Sequence, residues 1–406
     1  QDGKEKVMEA IREDAATNGR PVMHVLQSMD RPDQERNPVA YEYISGTYKD
    51  GMPYNGVHAR INFRDRRWDF AVVSSADAPK TVIRFASSFQ RRTGKEARIA
   101  WNGGYILNPE LVGKLGLPET YIGSPLGLII SGGEMISAPL FNKPALLVKR
   151  DGSIDIRRVH CKDGLIIKRR GKKILFGPQM YNATSPYGGT AYYDLLHTDP
   201  RIEGDGRTVV RLAGNYVKEV LATKEGEKIT IIPVGLTLAF APEEVPENLK
   251  VGEQLELILP GFEEVVHGVE AGPLLIDHGK VTIDMEIEGW KTSNSIRTQA
   301  ARLDYTEMRG PKIAAGINKE GQLVVLTING RIRESVGSTH EDMAEILLNL
   351  GIEKAMGFDP GGSSTLVVDH KTLNISPYNC DYESNVFSLP PEPRAVSNAI
   401  IGYIDE

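Results

Sequence analysis

The chain of 406 residues is poor in cysteine: it has only Cys161 and Cys380. Two cysteines are too few for a disulfide framework or for a zinc site built from thiolates, and they leave open a single disulfide between them. Long apolar runs are also missing, since no stretch approaches the ~20 residues that a membrane-spanning helix needs. These two shortages argue against a disulfide-stapled scaffold and against a chain that crosses a membrane as a helix.

Positive charge is not concentrated anywhere in the sequence. The formal net charge is −6, and the two densest basic groups, residues 64–67 and 168–173, are short. A nucleic-acid-binding protein would show basic residues clustered on one face or along one helix. We interpret both groups as solvated turns or strand ends, and we expect no nucleic-acid partner.

The composition that is present is typical of a globular protein, with 40% hydrophobic and 25% charged residues. Alternating apolar positions separated by glycine turns predict many strands, and helical spacing predicts helices over residues 3–18, 80–93 and 340–350. The fold class expected is α+β: β-rich mixed sheets with a few flanking helices. Residues 1–40 are predicted to form an N-terminal helix and arm, and residues 41–406 one large domain.

Localisation is suggested only by the first residue. The chain starts at Gln1, without a methionine or an apolar leader, which favours a processed and exported protein that is periplasmic, secreted or on the cell surface. The sequence gives no indication of the oligomeric state.

Two predictions concern how strands are connected. Residues 58–63 and 68–74 alternate in polarity around a charged turn, which predicts a hairpin. Residues 266–276 predict one apolar strand in which Glu270 is the only acid. Desolvation there would raise the pKa of the Glu270 carboxyl and suit a general acid, whereas a glutamate at a strand end facing solvent would be unremarkable; both interpretations stay open.

Residues 357–368 read Gly-Phe-Asp-Pro-Gly-Gly-Ser-Ser-Thr-Leu-Val-Val and lie between a predicted helix-strand unit and a further strand. Asp359 is followed by a proline, two glycines and three hydroxyl residues. Glycines let a ligand approach the main chain, and successive amides in such turns bind anions. The segment therefore suits an anionic ligand, with an ordinary tight turn as the alternative.

A second glycine segment follows the strand predicted at residues 97–100, where Trp101-Asn102-Gly103-Gly104-Tyr105 interrupts an apolar path. Polar residues at the end of a strand suit a binding site, and a glycine bulge or turn is the alternative. Residues 290–307 are polar and permit a helix, and they carry candidate anion contacts at Arg297 and Arg302, with Arg309 just beyond.

These segments resemble, in sequence and in order, the phosphodiester glycosidase family. The family's Asn-Gly-Gly motif is similar to residues 102–106, its Asp-Gly-Gly-Gly-Ser-Ser/Ala-Thr motif to residues 359–365, its Glu-Met-Ala-Glu helix to residues 337–345 and its Pro-Arg-x-Val segment to residues 393–397. The resemblance covers about residues 57–406. Three positions depart from the pattern: Pro360 replaces a glycine, Lys312 an arginine and Asn329 a frequent aspartate.

The resemblance implies a hydrolase that cleaves a sugar-1-phosphodiester, such as an N-acetylglucosamine-1-phosphodiester, or a related glycosidic bond, through two carboxylates. Asp359 would act as acid/base or nucleophile, with Glu270 as its partner. A carbohydrate or sugar phosphate is the expected partner, and no cofactor is required, although a divalent cation is an option. The residues expected to bind substrate are Asn102, Gly103, Gly104, Gly361, Gly362, Ser363, Ser364, Thr365, Arg394, Lys312, Arg297 and His340.

Two other functions remain open at this stage. A polysaccharide-binding protein would use the same glycine segment with the aromatic residues Trp101, Tyr105, Tyr181 and Tyr187, without turnover. A metal-dependent phosphodiesterase would hold a cation with Asp359 and a second acid, and water would attack phosphorus. The sequence has no compact His/Asp cluster with metal-ligand spacing, which disfavours this second function.

Overall fold

The structure is a computed structural model that describes residues 38–62, 68–75, 79–184, 188–296, 307–376 and 393–405. The predicted N-terminal helix lies outside these residues, as do Arg297, Arg302, Tyr187 and Cys380. Within them, strands dominate and helices are few, so a β-rich fold with a few helices is confirmed. None of the helices there is long and apolar enough to cross a membrane.

The largest sheet, called sheet A, has seven strands. In spatial order they are β1 (Ala40–Thr47), β2 (Pro53–Ile61), β22 (Leu323–Ile328), β21 (Lys312–Asn318), β23 (Ile352–Gly357), β19 (Leu274–Asp277) and β20 (Lys280–Val281). Helix α4 (His340–Asn349) connects β22 to β23 and buries Met343, Ala344 and Leu347. The connection places β23 beside β21 on the side away from β22.

Two five-stranded sheets, called sheets B and C, share a hydrophobic core with sheet A. Sheet B has the order β25 (Lys371–Thr372), β24 (Leu366–Val368), β4 (Ala97–Asn102), β26 (Asn398–Ile404) and β3 (Trp68–Ser74). Sheet C has the order β6 (Glu134–Ser137), β5 (Ile129–Ser131), β18 (Val265–Glu270), β7 (Pro144–Lys149) and β8 (Ile154–Arg158). A continuous hydrophobic core contains residues from sheets A, B and C, among them Trp101, Val269 and Met356.

The remaining strands form a second core beside sheet C. A four-stranded sheet has the order β11 (Ala191–Tyr193), β16 (Thr237–Phe240), β13 (Thr208–Ala213) and β14 (Tyr216–Ala222), and a three-stranded sheet the order β10 (Lys172–Phe176), β9 (Leu165–Arg169) and β17 (Glu256–Ile258). A two-stranded ribbon pairs β12 (Arg201–Glu203) with β15 (Lys228–Thr230). The other helices are α1 (Val82–Thr93), α2 (Pro109–Lys114) and α3 (Ser293–Ile296).

The sheets are antiparallel rather than mixed, which corrects one part of the expected fold class. Every strand ladder among the described residues is antiparallel, and a parallel arrangement occurs in the isolated bridge between Tyr181 and Tyr192. Short turns join many consecutive strands, such as β21 to β22 and β7 to β8. Such turns produce antiparallel pairs, because parallel neighbours need a longer crossover.

The hairpin predicted from residues 58–63 and 68–74 does not form. Strand β2 pairs with β1 and β22 in sheet A, whereas β3 pairs with β26 in sheet B. Alternating polarity indicates a strand and the face that it buries, but it does not specify the partner. The two strands are neighbours in sequence and belong to different sheets.

The single strand predicted over residues 266–276 is divided into β18 and β19. The division falls at the cis peptide bond between Gly272 and Pro273. Proline has no backbone N–H to donate to a ladder, so a strand is readily interrupted there. The chain therefore leaves sheet C after Glu270 and enters sheet A at Leu274.

The predicted helix over residues 340–350 is confirmed, and its start is fixed by a capping box. The Oγ1 atom of Thr339 accepts from the amide of Asp342 at 3.0 Å, and the Asp342 carboxylate accepts from the amide of Thr339 at 2.9 Å. Arg309 donates to the same carboxylate at 3.1 Å and to Asp50. This arginine, a candidate anion contact, stabilises the helix start.

We predict that Thr339→Ala lowers the free energy of unfolding by about 1 kcal/mol, because it removes one side of the capping box. Urea denaturation followed by circular dichroism measures the change. The matched control is Glu345→Ala, an exposed position of the same helix, with an expected change within ~0.5 kcal/mol. Equal effects of the two substitutions would contradict the capping role.

Candidate functional site

The backbone at the end of β23 and just after it is fixed to three neighbours: the linker between β18 and β19, strand β21 and the segment that follows β4. The amide of Gly357 donates to the carbonyl of Pro273 (2.9 Å) and the amide of Phe358 to that of Ile313 (3.0 Å). The amide of Asp359 then donates to the carbonyl of Gly103 at 3.0 Å. Asp359 is 5% exposed, so its carboxyl group lies in a largely enclosed position.

The glycine-hydroxyl segment, residues 361–365, forms a short 3-10 turn over Gly361–Ser363 and is buried. Gly361 has a φ of 72°, a backbone conformation that glycine adopts readily, and its amide donates to the carbonyl of Pro311 at 2.9 Å. The amide of Ser364 donates to the carbonyl of Gly361 at 3.0 Å. The predicted binding residues Gly361, Gly362, Ser363, Ser364 and Thr365 therefore form one rigid turn beside Asp359.

Asn102 connects the residues on either side of this turn, Asp359 and Thr365. Its side chain is fully buried at the end of β4, and its Nδ2 donates to the carbonyl of Asp359 at 2.8 Å. Its Oδ1 accepts from the amide of Thr365 at 3.0 Å. The Asn102 side chain thus connects the backbone of Asp359 to that of Thr365. Contact of Asn102 with a sugar remains a prediction.

Gly103 and Gly104 are glycines because the chain is too crowded there for any side chain. A Cβ on Gly103 would lie 1.9 Å from Oδ1 of Asn398, and a Cβ on Gly104 would lie 2.3 Å from the carbonyl oxygen of Glu270. Oδ1 of Asn398 accepts from the amide of Gly104 at 2.7 Å. The two glycines therefore contact the segment of Asp359 on one side and Glu270 on the other.

Glu270 is the last residue of β18, and its side chain is buried. It does not face solvent, as one of the two interpretations of the sequence had it. Its Oε2 accepts from the amide of Leu128 at 2.9 Å, and a Cβ on Gly127 would lie 2.1 Å from the same oxygen. Burial raises the pKa of the Glu270 carboxyl to about 8, against the opposing effect of the nearby charge of Lys143. The raised pKa favours the protonated carboxyl, which is the form that a general acid needs.

The four basic candidates occupy different environments. Lys312 is buried, and its Nζ donates to the carbonyl of Met308 at 3.2 Å. His340 is buried at the start of α4, with its ring 6.4 Å from that of Trp290. Arg394 is half-buried, four residues before Asn398. Arg297, the fourth candidate, lies outside the described residues. Binding of a phosphate by any of the four remains a prediction.

Arg331 is a site residue that the sequence reasoning missed. Its Nη2 would lie 3.3 Å from a Cβ on Gly361, so its guanidinium lies against the glycine-hydroxyl segment. It follows Asn329, whose Nδ2 donates to Asn55 and whose Oδ1 accepts from the amide of Ile375, both at 2.7 Å. The signal for Arg331 in the sequence is the Asn-Gly-Arg turn after β22, which already contains Asn329.

Among the described residues, no group of three His, Cys, Asp or Glu side chains could hold a metal ion.

A groove of about 620 Å³ lies away from Asp359 and Glu270 and is lined by residues such as Glu134, Arg150 and Gln254. Cys161 is buried, and its Sγ lies 3.4 Å from Oδ2 of Asp194. A disulfide to Cys380 involves a residue outside the described part of the chain.

The family model for phosphodiester glycosidases matches residues 202–402. The carboxyl-terminal half of this chain belongs to the phosphodiester glycosidase family. The matched range contains Glu270, Arg331 and Asp359. Asn102, Gly103 and Gly104 lie outside the matched range, in the preceding half of the chain.

Comparison with solved structures identifies the fold. A protein from Synechocystis, described as hypothetical, has 20% identity and a TM-score of 0.55 over 90% of this chain and 62% of its own. The zebrafish N-acetylglucosamine-1-phosphodiester alpha-N-acetylglucosaminidase catalytic domain, auto-inhibited by its pro-peptide, has 14% identity and a TM-score of 0.49, over 93% and 85%. The Synechocystis likeness shows a shared fold.

One curated relative matches a short part of this chain. The SPbeta prophage-derived uncharacterized protein YomE of Bacillus subtilis (strain 168) is 37% identical over 87 residues. The match covers 21% of this chain and 14% of YomE, and the chain also spans less than two thirds of the Synechocystis protein. The YomE match is a local sequence similarity, and the Synechocystis likeness shows the fold alone.

We predict that Asn102→Ala lowers the free energy of unfolding by ~2 kcal/mol, because it leaves the carbonyl of Asp359 and the amide of Thr365 without their buried partner. Denaturant unfolding measures the loss. The matched variant Asn102→Asp keeps the Oδ1 acceptor and removes the donor to Asp359. A loss below ~0.5 kcal/mol for Asn102→Ala would be inconsistent with the clamp that the two hydrogen bonds form.

Proposed function

We propose that this chain is a glycoside hydrolase that cleaves the bond between the anomeric carbon of a sugar and a phosphodiester. The observation that carries the proposal is that the backbones of two buried acids contact adjacent glycines: the amide of Asp359 donates to the carbonyl of Gly103, and the carbonyl of Glu270 lies against Gly104. Membership of the phosphodiester glycosidase family supports the choice of bond. A related glycosidic bond is the broader substrate class.

The two acids have different proposed tasks. Glu270, with its raised pKa of about 8, keeps a proton at neutral pH and donates it to the departing phosphate oxygen. Asp359 stabilises the positive charge that develops at the anomeric carbon, either as a nucleophile or as the base that activates water. A phosphodiester leaving group is already weakly basic, so donors that stabilise its charge contribute alongside the acid.

The anion is proposed to bind at the glycine-hydroxyl segment. Residues 361–365 offer hydroxyl groups in a fixed turn, and the guanidinium of Arg331 lies against Gly361. Arginine is well suited to phosphate because its planar fork donates two parallel hydrogen bonds. Arg394, Lys312, His340 and Arg297 remain further candidates for the phosphate charge.

The buried aromatic side chains count against a polysaccharide-binding module. Trp101 and Tyr105 are 0% and 2% exposed, and the hydroxyl group of Tyr181 donates to Asp194 at 2.6 Å. Aromatic rings that bind a sugar chain need an open face, which the first two do not have.

We predict that Asp359→Asn lowers kcat on a sugar-1-phosphodiester by ~10²-fold or more, because the amide cannot supply the negative charge. Initial rates with a panel of sugar-1-phosphodiesters measure the loss, with circular dichroism to establish folding. Wild-type hydrolysis in ¹⁸O-labelled water should place the label on the anomeric oxygen of the sugar. Label on phosphate would instead identify a phosphodiesterase, and unchanged turnover of folded Asp359→Asn would remove the catalytic assignment.

We predict that Arg331→Ala lowers kcat/KM at least ~10-fold more on a sugar-1-phosphodiester than on an uncharged aryl glycoside, because a charge-assisted contact to phosphate is lost. Arg331→Lys should restore part of the difference, since lysine keeps the charge without the fork. Arg394→Ala tests the other arginine in the same assay, and exposed Arg92→Ala on α1 is the control. Equal losses on both substrates would show that Arg331 does not bind the phosphate.

A further inference from the structure

Lys143 is a buried cation for which the proposed reaction gives no role. Its side chain is fully buried, and its Nζ lies 3.6 Å from the ring centre of Phe141, 4.0 Å from that of Trp290 and 5.1 Å from that of Tyr105. Lysine is among the residues least often buried, since removing an ammonium group from water is costly. Three aromatic faces around one Nζ favour its charged form.

The register of sheet C places Lys143 near Glu270. Ala145 lies directly opposite Glu270 in the pairing of β7 with β18. Lys143 precedes Ala145 by two residues, and residues two apart along an extended chain point to the same face. The carbonyl of the intervening Pro144 accepts from the amide of Ala271 at 3.0 Å, which fixes the two segments together.

Glu288, the other buried acid near Lys143, already has a cationic partner. Its Oε2 accepts from Nε of Arg158 at 2.9 Å, and its Oε1 accepts from Nε1 of Trp290 at 3.0 Å. The Trp290 ring therefore bonds to Glu288 through its edge and covers Nζ of Lys143 with its face. Arg158 therefore pairs with Glu288, and of the two acids Glu270 has the larger electrostatic effect on Lys143.

We propose that Lys143, held by the rings of Tyr105, Phe141 and Trp290, is a positioning residue that controls the proton on the Glu270 carboxyl. The catalytic consequence rests on the proposed function, whereas the coupling of the two side chains does not. Tyr105 follows Gly104 directly, so the aromatic cage and the glycine contact to Glu270 belong to the same segment.

The electrostatics of the pair support this role. Burial lowers the pKa of Lys143 to about 7, and the charges of Glu270 and Glu288 act in the opposite direction. The Lys143 charge likewise opposes the raised pKa of Glu270, whereas Asp194 reinforces it. Cys161 is the remaining titratable group near Glu270, and burial raises the pKa of its thiol. Removing Lys143 should therefore raise the pKa of Glu270 further.

The first test is the pH dependence of Tm, which needs no substrate. The folded pKa of Glu270 lies above the ordinary carboxyl value of ~4.3, so its contribution to stability is lost as pH rises through about 8. The folded pKa of Lys143 lies below its ordinary value of ~10.4, so its contribution is lost as pH falls through about 7.

Relative to the wild type, Tm of Lys143→Met should fall progressively between pH 5 and pH 9, and Tm of Glu270→Gln should rise. The double variant should depend on pH less than either single variant does. Losses of Tm that are the same at every pH would overturn the coupling, because they would show that Lys143 only fills space.

If Lys143→Met does not fold, Phe141→Leu tests the cage with the charge retained. Loss of one ring makes the ammonium less favourable, so the loss of Tm should be larger at pH 5 than at pH 9. Phe240→Leu is the matched control, because Phe240 is equally buried and packs on Phe176 at 5.8 Å. Identical pH profiles for the two phenylalanine variants would overturn the proposal.

The second test uses the proposed reaction. Activity of the wild type should decrease as Glu270 loses its proton, and Lys143→Met should move this basic limb of kcat/KM to higher pH. Lys143→Arg should keep the limb near its wild-type position. A basic limb that stays in place would overturn the catalytic role of Lys143, whereas an inactive wild type with the expected Tm profiles would overturn the proposed function and leave the coupling established.

Discussion

The absence of side chains at Gly103 and Gly104 is the constraint on which the site depends. The carbonyl oxygen of Glu270 and the side chain of Asn398 approach these residues so closely that a Cβ on either glycine would collide with them. Strands of sheets B and C can therefore end against each other, and the amide of Asp359 from sheet A reaches the same place. Any larger residue would push the segments of Asn398 and Glu270 away from this strand end.

Polar groups at this junction divide into those that hold the backbone and those with an ionisable side chain. Asn102, Asn329 and Asn398 use their amide groups on neighbouring segments. A buried asparagine can bind two segments without the cost of a buried charge. The ionisable side chains, Glu270 and Lys143, are then left in a region where burial changes their proton affinities.

Much of the local structure could be predicted from the sequence. The helix of residues 340–350, the hairpin of β21 and β22 and the strand ending at Asn102 follow from apolar periodicity and glycine turns. For Glu270 the sequence left two positions open, buried with a raised pKa or at a strand end facing solvent, and the structure has the buried one. The partners of β2 and β3 could not be predicted, because strand polarity indicates a buried face and not the neighbour that covers it.

The sequence by itself therefore determined the β-rich character, the glycine segments beside Asp359 and Asn102, and the family resemblance. Tertiary structure alone decided that β18 and β19 belong to different sheets, that Arg331 lies against Gly361 and that Lys143 enters an aromatic cage near Glu270. The physical reason is distance along the chain. Periodicity reports neighbours within a few residues. The charge on the buried Lys143 side chain also depends on Glu270 and Trp290, which are more than a hundred residues away in sequence.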